Sequence, residues 1–180
     1  YTDADIEAYR NGTKPSTDWY NEVFKKAAME TQHSFSINGG SEKTTYMASL
    51  AYLFQDGLSQ EKNYERYNGR VNLDSKIANW VSAGINASAY RGINNDEYSG
   101  FGSLLQWANR IPPTVPIYNE DGSFHFNGLD NPVANQGNTG ISRTMDQQLN
   151  ATAYLNITPI EGLSIKGLYN LRHDYRETYS

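Results

Sequence analysis

The chain has no cysteine and only 19% charged residues, and its 15 lysines and arginines gather into no run. Lack of cysteine removes any disulfide frame or thiolate metal site. Lack of a basic stretch removes the usual footprint for nucleic acid, and a net charge of −5 points the same way. No apolar run approaches the roughly 18 residues that a membrane-crossing helix needs. That excludes helical spans only, because a membrane-crossing strand leaves a far weaker trace. Hydrophobic residues make up 38% of the 180, thin for a domain with a large packed interior, and uncharged polar residues and 14 tyrosines fill the difference.

What is present is alternation. Thr44–Gly57 reads TTYMASLAYLFQDG, with Tyr46, Ala48, Leu50, Tyr52 and Phe54 on every second position before Asp56-Gly57. That is a strand running into a turn. His33, Phe35 and Ile37 alternate in the same way upstream, with a tight turn at Gly39–Glu42. Downstream come Glu65–Ile77, Trp80–Tyr90, Met145–Thr158 and Leu163–Tyr175, the last two joined at Pro159–Gly162. The first thirty residues predict two short helices. Thr2 to Asp5 caps one that Gly12 closes, and Asp18 caps another from Trp19 to about Met29, an amphipathic pair packing on something larger. The residues 91–143 exceed what a compact domain needs as a connector. They predict a helix on Phe101, Leu104, Leu105 and Ala108 that ends at Ile111-Pro112-Pro113, a hairpin around Asn119–Gly122, and loop over Asn131–Arg143.

Alternation does not say which side is dry. A soluble sandwich buries the apolar row, and a porin-like barrel turns it outward, with the same written pattern. Three features lean toward lipid. Arg70, Lys166 and Arg172 all avoid the apolar parity, aromatic residues such as Tyr46, Phe54, Tyr67, Trp80, Tyr90, Tyr169 and Tyr175 sit near strand ends, and short turns alternate with long links.

Several stretches together resemble one family, the SusC/RagA group of TonB-linked outer-membrane transporters. They are Asp18-Trp19-Tyr20 with Val23-Phe24, SINGGSEKTTYMASLAYLFQDG (36–57), NYERYNGRVNLDS (63–75) and LLQWANRIPPTVPIYNEDGSF (104–124), in order along nearly the whole chain. The resemblance implies an all-β fold, antiparallel strands of a 22-stranded transmembrane barrel, with an N-terminal plug that lies outside this chain. It implies the outer membrane of a diderm bacterium, outer-membrane lipid around the wall, a SusD-like lipoprotein partner, TonB as the power source and oligosaccharides or peptides as cargo. The chain then divides into a helical extracellular loop (1–30), four barrel strands (31–90), a long extracellular loop with helix and hairpin (91–143) and two further strands (144–180), strands two to seven of the barrel, with the first expected upstream of Tyr1.

Little here predicts catalysis, so the chain reads as no enzyme, with no cofactor or metal. His33, His125 and His173 have no ligand spacing, Gly100-Phe101-Gly102 lacks the third glycine of a dinucleotide loop, and Asn94–Glu97 departs from the calcium-loop pattern and reads as a solvated loop. Two residue sets remain. Arg66, Asn68, Arg70, Asn72, Asn86, Asn150, Asn156, Lys166 and Arg172 share the wet parity and would line the lumen. Trp107, Asn109, Arg110, Tyr118 and Phe124 of the insert would meet cargo or lid, against the alternative that Trp107 and Phe124 form the loop's own small core. A soluble sugar-binding β-sandwich and a surface adhesin stand as the other functions this pattern allows.

Overall fold

The computed structural model of the chain describes residues 2–14, 16–97, 100–126, 128, 131–136 and 140–180. Two short helices come first, α1 (Asp3–Arg10) and α2 (Trp19–Val23), then strands β1 (Glu30–Gly40), β2 (Thr44–Asp56), β3 (Asn63–Ala78) and β4 (Val81–Glu97). Helices α3 (Phe101–Arg110) and α4 (Pro132–Asn135) follow, and β5 (Ile141–Ile160) and β6 (Leu163–Tyr179) close the chain. The six strands form one antiparallel sheet in sequence order. Alternating side chains fix this register, since a slip of one residue would turn each row onto the wrong face.

The strands run longer than the alternation alone predicted. β4 continues through Arg91 to Glu97 and β5 begins at Ile141, so polar residues at their loop ends stay in the ladder with each other, as in Asn95↔Arg143 and Asp96↔Ser142. Two sites need glycine. Gly162 takes φ 82° in the β5–β6 turn. At Gly84 an added Cβ would lie 2.5 Å from the Tyr154 ring, and this gap lets the Tyr154 hydroxyl cross to donate to Asp74.

Packing is confined to one end. Trp19, Val23 and Phe24 meet Leu104, Ala108 and Ile111 in a small buried core, with Trp107, Val115, Ile117 and Val133 against it. The expected helix from Trp19 to Met29 is therefore wrong beyond Val23. Phe24 is extended at φ −113°, ψ 139°, bridges to Ser59, and the Lys25 N–H donates to the Leu58 carbonyl at 2.7 Å. The rows through Ala27 and Ala28 do not form, because strand-like pairing to the β2–β3 link satisfies the backbone instead. Helix α1 has the expected Thr2 cap, with Asp5 completing a capping box, yet buries no residue. Asn131–Arg143 is not all loop. The Asn131 side-chain oxygen Oδ1 accepts from the N–H of Val133 and of Ala134, both at 3.1 Å, and starts α4.

A sheet wall and an outer loop cluster

The register sorts the sheet into two faces. Across one run Ile37, Ala48, Val71, Ala87, Ala151 and Leu171, and Leu50, Ile85 and Leu155 lie in neighbouring rows of that face. Leu50 is 66% exposed, Val71 53%, Ile85 50% and Leu155 43%. Among the described residues no second layer covers them, so this apolar face is not the inside of a sandwich made by this chain.

The edge of that face has a shape. Toward the loop end, the first polar side chain is Asp56 on β2, Glu65 on β3, Arg91 on β4, Gln147 on β5 and His173 on β6. Glu65 pairs with Phe54, one same-face step below Asp56. Arg91 pairs with Tyr67, a further step down; Gln147 is level with Arg91; and His173 pairs with Leu149, one more step down. The boundary thus drops six residues, about 20 Å, across four strand intervals, about 19 Å, a slope of about 45°. A flat water–lipid surface crossing inclined strands produces such a staircase, and barrel strands in membranes tilt by about 35–45°. β1 leaves the progression, with His33 opposite Tyr52. No helix among the described residues is long and apolar enough to cross a membrane, which says nothing about strands.

The other face is wet. Arg66, Asn68, Arg70, Asn72, Asn86, Asn150, Asn156, Lys166 and Arg172 all lie on it, in rows such as Ser36–Ser49–Arg70–Ser88–Asn150–Arg172. Arg66 and Asn68 engage each other, and Asn150, Asn156, Lys166 and Arg172 engage other polar or aromatic side chains of this face. The Arg66 Nε donates to Asn68 at 2.8 Å and its guanidinium lies 5.1 Å from the Tyr90 ring centre. The Arg172 Nε donates to Asp174 at 2.7 Å, Ser164 donates to Asn156 at 2.9 Å, and Lys166 sits 5.1 Å over the Tyr154 ring. Among the described residues the side chains of Arg70, Asn72 and Asn86 have no hydrogen bond or ion pair, although their backbones lie in the ladder.

The insert residues fall into two groups. Trp107 packs on the loop core, and Asn109 spends its amide on the Leu105 carbonyl at 2.8 Å. Arg110 is exposed at the end of α3. Tyr118 and Phe124 bridge and stack on each other at 5.1 Å, with Tyr118 half exposed.

Several positions escaped sequence reasoning. Thr17 donates to the Val115 carbonyl at 2.8 Å, the Trp19 Nε1 to the Pro112 carbonyl at 3.3 Å, and Gln136 to the Val23 carbonyl at 2.6 Å. These ties join the N-terminal segment to the insert, and no local signal marks a contact over such separations. Asn131 had one, its place directly before proline. Asn94–Glu97 is strand and not solvated loop, and Glu97 is buried. Asp96 is pushed up by burial, but the Lys62 ammonium at 2.9 Å and the Glu97 N–H at 3.0 Å help outweigh this and hold it below the usual range. Among the described residues no three His, Cys, Asp or Glu side chains converge on a metal position.

No family model matches the chain. Individual proteins do. The chain is similar to TonB-dependent receptor P26 of Formosa agariphila, 32% identical over 168 residues, which is 88% of this chain and 16% of that protein. It is similar to TonB-dependent receptor SusC of Bacteroides thetaiotaomicron, 33% identical over 114 residues, 63% of this chain and 11% of that protein. Among solved structures, the RagAB peptide transporter superposes with a TM-score of 0.72 at 26% identity, over 91% of this chain and 19% of the matched one. The chain thus spans less than a fifth of each of these relatives.

Proposed function

The chain belongs to the SusC/RagA group of TonB-dependent receptors as a piece of the barrel wall, and from that premise we propose that it is part of an outer-membrane importer of oligosaccharides or peptides. In this proposal the sheet is an arc of a closed 22-stranded barrel. Leu50, Val71, Ile85 and Leu155 face lipid, and Arg66, Asn68, Arg70, Asn72, Asn86, Asn150, Asn156, Lys166 and Arg172 face the lumen. Import is driven through TonB by segments outside this chain, and a SusD-like lipoprotein covers the outer mouth. The observation that supports this most is the stepped boundary of the apolar face from β2 to β6, which a lipid plane crossing inclined strands accounts for.

The structure of the insert narrows which residues are free to meet cargo or lid. Trp107 and Phe124 are engaged in packing, while Asn109, Arg110 and Tyr118 are exposed, Asn109 with its amide nitrogen on the Leu105 carbonyl and Tyr118 with one ring face on Phe124. An exposed arginine and an exposed tyrosine ring suit either a sugar face or a peptide backbone.

The test uses the whole receptor in its own cells. Deleting it should abolish TonB-dependent uptake of defined oligosaccharide or peptide pools, and the tagged receptor should need detergent for extraction and bring a lipoprotein with it. Unchanged uptake together with extraction in plain buffer would return the chain to a soluble binding module.

A further inference from the structure

Glu97, the last residue of β4, is 2% exposed, and its neighbour in the fold, Ser59, is fully buried. Among the described residues neither the carboxylate nor the Ser59 hydroxyl completes a hydrogen bond, although Ser59 and Asp96 both bear on how Glu97 titrates. Glu97 lies six residues beyond Arg91, where β4 leaves the apolar band, and so sits in the outer loops.

The pair occupies a junction. Ser59 belongs to the β2–β3 link and bridges to Phe24 of the N-terminal segment. The Glu97 carbonyl accepts from the Gly100 N–H at 2.9 Å, where the insert turns into α3. Among the described residues no cation is left for Glu97. Lys62 is spent on Asp96 at 2.9 Å, with its ammonium 5.5 Å over the Phe101 ring, and Lys25 is spent on Asp56 at 2.9 Å. The first turn of α3 carries no acid, its one basic residue lies at the far end, and Glu22 of α2 is exposed. An ionised carboxylate buried without a partner is strongly disfavoured, and it neutralises instead. A calcium ion would need about six to eight oxygens, and one free carboxylate with one hydroxyl falls far short.

We propose that Glu97 keeps its proton while the outer loops are packed and that losing it releases the N-terminal segment and the β2–β3 link from the start of α3, a proton-operated latch. Burial pushes the Glu97 carboxyl up, Ser59 opposes this, and Asp96 adds to it. With the packed-state pKa raised, the latch is fully closed below the ordinary carboxylate range and weakens as pH rises toward the raised value, levelling off above it. The inference rests on the loop cluster alone and survives if the import reading fails.

Hydrogen exchange of the whole receptor in detergent, corrected for the intrinsic pH dependence of exchange, tests it. Peptides over residues 19–29, 57–62 and 100–110 should lose protection about tenfold per pH unit within that window, while residues 44–56 stay protected. Glu97→Gln, neutral at every pH, should keep those peptides protected throughout. Ser59→Ala removes a group that favours the charged form, so the loss should run on to higher pH. Flat protection in the wild type, an unprotected Glu97→Gln that folds, or an unmoved end point in Ser59→Ala would overturn the latch. So would protection regained at high pH on adding calcium, which would mark a cation site.

Discussion

The sheet and the loop cluster handle apolar surface in opposite ways. The sheet leaves Phe35, Leu50, Leu168 and Tyr169 each at least 65% exposed, while the cluster holds Trp19, Val23, Phe24 and Leu104 at 4% or less. The cluster is a miniature soluble core, assembled from two remote pieces of chain and stabilised by area removed from water. The sheet has no such interior. Its ladder satisfies the backbone, its apolar face waits for a non-aqueous neighbour, and its wet face is tied by pairs such as Arg172–Asp174. The lesson is that burial within the chain is no measure of which apolar residues matter.

The contrast can be broken at its strongest point first. Leu104→Ala, at a fully buried side chain, should cost about 2–5 kcal/mol within the cluster. Hydrogen exchange should rise in α2 and α3 with β2–β5 untouched, and loosening of the strands as well would mean that the two regions are not separate. Next, Ala151→Arg should cost about 2–4 kcal/mol in urea unfolding from lipid vesicles. Thr152→Arg, one residue along on the wet face, should change little. The reverse order would sink the assignment of faces. The smallest effect concerns α1, which belongs to neither region. Lys14 at 2.6 Å, then the Thr2 N–H and hydroxyl, hold the Asp5 carboxyl well below the usual carboxylate range. A lowered pKa stabilises above the ordinary carboxylate range and is lost as pH falls through the lowered value. Helix α1 should fray in strong acid, a change slight at so exposed a site and absent in Asp5→Asn, as read by exchange of residues 2–14. Fraying that spread into the Trp19–Leu104 core would show α1 to be part of the cluster.

Much of the wall was legible because strands carry their own signal. The period of two in Tyr46–Phe54 or Leu149–Ile157 names both the element and its face, and the turn at Pro159–Gly162 fixes the hairpin. The loop ends of β4 and β5 were not legible, since Asn94, Asn95 and Asp96 lack alternation and belong to a strand only through their partners on β5. The end of α2 was missed for the same reason. Ala27 and Ala28 continue a helical row by themselves, and only pairing with Leu58 and Ser59 draws the chain out of it.

By itself the sequence determined the strand order along the chain, the two faces of each strand and the family, because these depend on residues near one another or on long ordered matches. Tertiary structure alone decided the stepped edge of the apolar face, the joining of Trp19 to Leu104, and the burial of Glu97 beside Ser59. Each of those depends on register or on contacts between distant segments, and the free energy of such a contact resides in neither segment until both are in place.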